Sequence, residues 1–112
     1  MPDPISRQHL LTADLGTQTF TSVQVHEIRF SPGQKASLHL HPCPVMGYIL
    51  EGSALLQVDG EAPQVLHAGQ AFHEPAMERI LHFDNHSNKN PLLFVAFYLL
   101  NGRQSLIEFI YE

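Results

Sequence analysis

PGQKASLHLHPCPVMGYILEG, residues Pro32 to Gly52, sets two histidines one residue apart in a stretch that otherwise reads as β-strand. In a strand, residues i and i+2 project from the same face, about 6.6 Å apart along the chain. His39 and His41 therefore project together, with Leu40 on the opposite face. Two imidazoles at that separation can converge on one ion, each at about 2.1 Å. The stretch offers no carboxylate until Glu51.

Outward from this stretch, the punctuation is that of an all-β protein. Upstream, Val23 and Val25 alternate with polar neighbours, and Ile28 and Phe30 alternate in the other phase, which predicts a bulge near His26. Pro32-Gly33 ends that strand. Ala36 to His41 is short and extended, and Val45 to Leu50 is apolar. Ser53 to Val58 runs into Asp59-Gly60, a strong hairpin signal. Gln64 to His67, Gln70 to Glu74 and Arg79 to Phe83 are short strands separated by Gly69 and Pro75. Asp84 to Pro91 reads as a polar loop, Leu92 to Leu100 as a buried strand and Ser105 to Tyr111 as a last strand. Short strands at roughly 8–12-residue spacing are the signature of a sandwich or barrel. Only Ser6 to Leu15 could make a turn or two of helix, which Gly16 would end.

The chain has 112 residues, one domain's length. At this size roughly 65% of the unfolded surface is buried, enough for a single core. A net charge of −5, with no cluster of Lys or Arg, argues against a nucleic-acid partner. The longest apolar run, Leu92 to Leu100, falls well short of the ~20 residues of a membrane helix, so no membrane partner is expected. Cys43 is the only cysteine, which excludes an intrachain disulfide and suits a reducing cytoplasm. The N-terminal MPDPISRQHLL lacks the pattern of a signal peptide.

The opening stretch resembles the first motif of the cupin family: a Gly, five residues, H-x-H, a Glu after three or four more, and a Gly six residues beyond. Gly33, QKASL, His39-Leu40-His41 and Gly52 fall in place, and Val45 stands at the Glu position. HAGQAFHEP, His67 to Pro75, resembles the lead-in to the second motif. The likeness covers about Val23 to Leu100. It implies an all-β double-stranded β-helix, a jelly-roll barrel over about residues 20–112 of a single 1–112 domain, with a pocket inside. It also implies a metal held by four groups. Two of these carry over to His39 and His41. The other two positions fall on Val45, which cannot ligate, and near Ile80, where PAMER departs from the family's P-x-G turn.

Strand periodicity supplies replacements. His82 lies two residues beyond Ile80 and is expected on the same face. Glu74 shares a face with Phe72 and Gln70, so an inward Phe72 brings Glu74 inward too. Cys43 follows His41 at i+2, but Pro42 and Pro44 bend the chain there. His73 is expected to point outward, and His9, His26, His67 and His86 to lie scattered on the surface. Tyr48 reads first as core and is the one further candidate proton donor for the pocket.

The expectation is a site anchored by His39 and His41 and completed by at least one of His82 and Glu74, holding one divalent transition metal, Fe, Mn, Ni, Zn or Cu, beside a small-molecule ligand. The chain would be a dioxygenase-, hydrolase- or isomerase-type enzyme, or else a non-catalytic ligand-binding or sensing protein. The apolar terminal strand SLIEFIYE could pair across an interface, so a homodimer is expected.

Overall fold

Glycine closes the first motif for a steric reason. Gly52 sits at φ 86 between two strands, and a Cβ there would lie 2.5 Å from the Pro91 carbonyl oxygen. Only glycine tolerates both. The hairpin it makes belongs to a computed structural model that describes residues 4–112.

Among the described residues nine strands form, in the order β1 (Ser22–Phe30), β2 (His39–Leu40), β3 (Val45–Glu51), β4 (Ser53–Val58), β5 (Gln64–His67), β6 (Ala71–Glu74), β7 (Ile80–Asn85), β8 (Leu92–Leu100) and β9 (Glu108–Phe109). They make a 4-stranded sheet, β1-β8-β3-β6, and a 5-stranded sheet, β5-β4-β7-β2-β9. All the pairings are antiparallel. The sheets close on one core, giving the jelly-roll double-stranded β-helix. Ile49, Leu56, Ile80 and Leu92 are its largest fully buried side chains, each stabilising by about 1.5–3 kcal/mol.

Strand β8 alternates Leu92, Phe94, Ala96, Tyr98 and Leu100 inward. Its other face carries Leu93, Val95, Phe97 and Leu99, so both faces are apolar. The same property explains β1. It pairs with β8 without a break from Ser22 to Phe30, and no bulge forms near His26. Ile28 and Phe30 pack on the core while Val23 and Val25 lie exposed on the outer face. The change of phase in the sequence is a change of which face is apolar.

Among the described residues there is no helix, and none therefore long and apolar enough to cross a membrane. Ser6 to Leu15 is irregular rather than helical. A ten-residue segment is below the length at which an isolated helix holds in water. Here Leu10 and Leu11 meet the outer sheet face beside Met46, Tyr48 and Phe97 instead. Ser105 to Tyr111 forms a strand only at Glu108–Phe109, and β7 runs on through Asn85 before the polar loop begins.

Candidate metal centre

His39 opens β2 and His41 follows its last residue, Leu40; they are 3% and 5% exposed. Glu74, the last residue of β6, is 4% exposed. One ligand atom from each of the three lies within 4.8 Å of the others. Backbone carbonyls fix both rings: His39 Nδ1–H donates to Ser37 O at 2.7 Å, and His41 Nδ1–H donates to Leu106 O at 2.6 Å. This leaves each Nε2 turned toward Glu74. Glu74 Oε2 lies 2.9 Å from His41 Nε2 and 3.7 Å from His39 Nε2. The first is a hydrogen bond; the second is beyond that reach and acts through charge.

Two nitrogens and one carboxylate oxygen around an ion at ~2.1 Å would sit about 3–3.5 Å apart. The observed separations bracket that range, and both imidazoles carry the carbonyl partner that orients a ligating histidine. The group is therefore able to hold a metal ion. Without one, a proton holds it together. His41 donates from Nδ1 to a carbonyl, and its contact with the carboxylate needs a second proton on Nε2. Burial pulls the His41 pKa down, but the hydrogen bond and charge of Glu74, with the Leu106 carbonyl, outweigh it and hold it above 6.5. Burial pushes Glu74 up, yet the two imidazoles hold its carboxyl below 4.5.

The ladder explains how Glu74 reaches this place. Val45 on β3 is in register with Glu74 on β6 and with Tyr98 on β8. Glu74, Val45 and Tyr98 thus form one transverse row on the inner face. The carboxylate that the first motif lacks at Val45 arrives from the neighbouring strand. Ile80, fully buried, is in register with His39, so the remaining expected ligand position is also apolar.

His82 does not join the group, which corrects its expected placement. Gln57 pairs with His82 and Val58 with Ile80, so Leu81 is an extra residue in β7. This bulge reverses the alternation: Ile80 and Phe83 face the core while the His82 side chain, 46% exposed, bonds Asp84 at 3.1 Å on the outside. Periodicity of two cannot see such an insertion. Cys43 is buried but outside the three-residue group, and burial raises its thiol pKa. His73 pairs with Met46 on the outer face, where burial lowers its pKa.

Met77 supplies a further link. It takes φ 64, a left-handed conformation rare for a side-chain-bearing residue, at the glycine position of P-x-G. Its N–H donates to His41 O at 2.8 Å, tying the turn after β6 to the histidine pair.

Beside the three groups lies a cavity of about 390 Å³, walled by Phe30, Phe72, Phe83, Phe94, Ala96 and Tyr98 among others. Tyr48, expected here, instead faces outward into a groove with Met46 and Phe97. Tyr98 is the phenol that lines the cavity; burial first, then the charge of Glu74, raises its pKa. Its parity with Leu92 and Leu100 was the available signal, hidden because β8 is apolar on both faces. His26, expected on the surface, is half-buried against the Tyr98 ring, 5.1 Å between centroids.

The family model for the cupin domain matches residues 26–98. No curated protein matches the chain. Among solved structures, DMSP lyase DddQ from Ruegeria pomeroyi DSS-3 superposes with a TM-score of 0.69 at 19% identity, over 80% of this chain and 44% of that one. Polyketide cyclase RemF from Streptomyces resistomycificus gives a TM-score of 0.66 at 20% identity, covering 80% and 61%. An RmlC-like cupin from Shewanella frigidimarina NCIMB 400 gives 0.60 at 21% identity, covering 71% and 68%. The chain spans less than half the length of the lyase structures it matches. At these identities the likeness is one of fold.

Proposed function

We propose, from the premise that this chain belongs to the cupin family, that it holds one divalent transition ion through His39, His41 and Glu74 and acts on a small organic molecule in the barrel. The observation that carries this reading is the convergence of three buried donor groups within 4.8 Å beside a 390 Å³ cavity. Two histidines and one carboxylate with open positions is a donor set suited to non-haem iron oxygenases, and it also accepts Mn, Ni, Zn or Cu. A bound ion would supply Lewis acidity or oxygen chemistry. The chain's own part is to present two oriented Nε2 atoms and a carboxylate, and to enclose the ligand in an apolar wall that excludes water. Enzymes on this barrel include a lyase and a polyketide cyclase, so the fold accommodates chemistry on small organic molecules; the activity proposed is of dioxygenase or isomerase type.

One observation favours a second reading, a non-catalytic ligand-binding protein: two of the four family ligand positions are the apolar Val45 and Ile80. Elemental analysis of the purified protein separates the two, read against His39→Ala and His41→Ala. Near-stoichiometric metal that both variants lose supports the metal site; native protein without metal that still binds small ligands supports the second reading.

The chain acts as a homodimer in the cytoplasm. Exposed Val23, Val25 and Phe97 on the outer sheet face and the outer edge of β9 offer contact surface, and a lone buried Cys43 suits a reducing compartment. Sedimentation equilibrium at micromolar concentration and cell fractionation check the two statements.

A further inference from the structure

The cavity wall combines two chemistries. His39, His41, Glu74 and Tyr98 line it together with a cluster of phenylalanines, while Gln34, Lys35 and Ser37 add further polar groups. Phe83 and Phe94 lie 4.8 Å apart, Phe72 and Phe83 5.2 Å, and Phe30 and Phe94 5.7 Å, in tilted or edge-on contact. The arrangement is built into β3. A Cβ on Gly47 would lie 2.0 Å from Phe72 Cζ, so glycine there lets the Phe72 ring lie across the strand. Ala96, in register with Gly47, keeps the wall shallow beside it.

Tyr98 stands where the two chemistries meet. The residue is 8% exposed, and its ring is edge-on to His41, 5.9 Å between centroids. His26 holds the other side of the ring, and Gln24 Oε1 lies 3.0 Å from His26 Nε2. Among the described residues no group is hydrogen-bonded to the Tyr98 hydroxyl, although Tyr98 lines the cavity. The hydroxyl is not sealed off by the packing, so it is free to meet a molecule in the cavity. Lys35, the one lysine along the lining, is exposed and stands opposite Asp84, so no buried lysine or arginine waits for a free carboxylate.

We propose that the cavity takes a neutral aromatic molecule bearing a carbonyl, its ring on the phenylalanine wall and its oxygen accepting a hydrogen bond from Tyr98. This rests on the reading of the same cavity as the ligand site and names the ligand's class. Tyr98 is then a substrate-contacting residue that turns the carbonyl end toward His39, His41 and Glu74.

The test uses the full, zinc-loaded chain with 4-fluoroacetophenone and fluorobenzene as probes, followed by fluorine NMR. Tyr98→Phe should weaken the ketone about fivefold, the loss of one neutral hydrogen bond, and leave fluorobenzene within about twofold. Ala96→Leu, which fills the cavity, should abolish binding of both. In the native chain, magnetisation transfer from the probe's acetyl protons to the Tyr98 ring gives the same answer without a variant. The proposal is overturned if neither probe binds, if Tyr98→Phe leaves the ketone unchanged or weakens both probes equally, or if both bind Ala96→Leu undiminished. Zinc content measured on the same samples keeps the two readings apart. Bound zinc with no probe binding sinks only the ligand class, whereas Tyr98-dependent probe binding by a chain that never takes zinc supports it and sinks the metal site.

Discussion

Strands β6 and β7 border the cavity from opposite sheets, and they treat the side chains that chemistry needs in opposite ways. β6 keeps strict alternation, so Phe72 and Glu74 both turn inward and the carboxylate lands beside the histidines. β7 carries one extra residue, so Ile80 turns inward and His82, two positions on, turns out. The difference teaches that a barrel site is written in the ladder. A ligand position belongs to a place on the inner surface, which neighbouring strands in register can both reach. Val45 and Glu74 are opposite each other, and the carboxylate has crossed from one strand to the next without leaving the site.

The largest effect should come from breaking β6's contribution. Glu74→Ala removes the only carboxylate of the group and should weaken metal binding by more than about 100-fold, the upper figure for losing merely an outer partner of a ligand. His39→Ala and His41→Ala should do the same, read by equilibrium competition with a chromophoric chelator. A Glu74→Ala protein that keeps native affinity would place any ion elsewhere.

Moving the carboxylate back sharpens the point. Val45→Glu alone puts a second acid beside Glu74 in a buried row. In metal-free protein this should cost several kcal/mol or drive one carboxyl to protonate. Combined with Glu74→Val, the exchange should recover much of the affinity that Glu74→Val loses, because the row position is conserved. Thermal midpoints with and without chelator report both. Equal destabilisation with and without metal would make Val45 simple core.

On β7, Ile80→His should succeed where His82 does not. Ile80 is fully buried and in register with His39. A histidine there adds a fourth donor and should tighten metal binding by about tenfold or more if it ligates, at the scale of a single added outer partner or above. No change in affinity would put Ile80 out of reach of the ion.

Much of this arrangement was legible in the residues. Gly33, His39, His41 and Gly52 point to the barrel because each meets a local demand, a turn or a shared face. Glu74 was reachable by counting twos from Phe72. His82 and Tyr98 were not. The first depends on where one extra residue is inserted, which is decided by pairing with β4. The second depends on which face of a doubly apolar strand is inner, decided by packing of the whole sheet.

Acidity separates the same groups more gently. His41 is raised above 6.5 in the metal-free fold, so the stability it contributes is fully present below about pH 6.5 and is lost as pH rises through its folded value. Glu74 is held below 4.5, so its contribution is present above that value and lost as pH falls through its folded one. Chelated protein should therefore show its highest thermal midpoint in mildly acidic solution. Metal-loaded protein should show a maximum at higher pH, because protons compete for His41. Coincident profiles would mean that metal and proton do not share the site.

The smallest effect is expected at His82, and it completes the comparison between β6 and β7. Its side chain is 46% exposed, and its bond to Asp84 is 3.1 Å long. His82→Ala should leave metal affinity unchanged within about twofold. Stability should fall by no more than about 1 kcal/mol, the scale of one partly exposed hydrogen bond. The loss should still be measurable, because Asp84 is only 4% exposed and its Oδ1 already lacks a partner. Asp84→Asn in the same background should return part of the stability by removing the buried charge. If His82→Ala instead lowers metal affinity as Glu74→Ala does, the bulge at Leu81 does not persist in solution. β7 would then alternate as β6 does, with His82 turned toward the cavity.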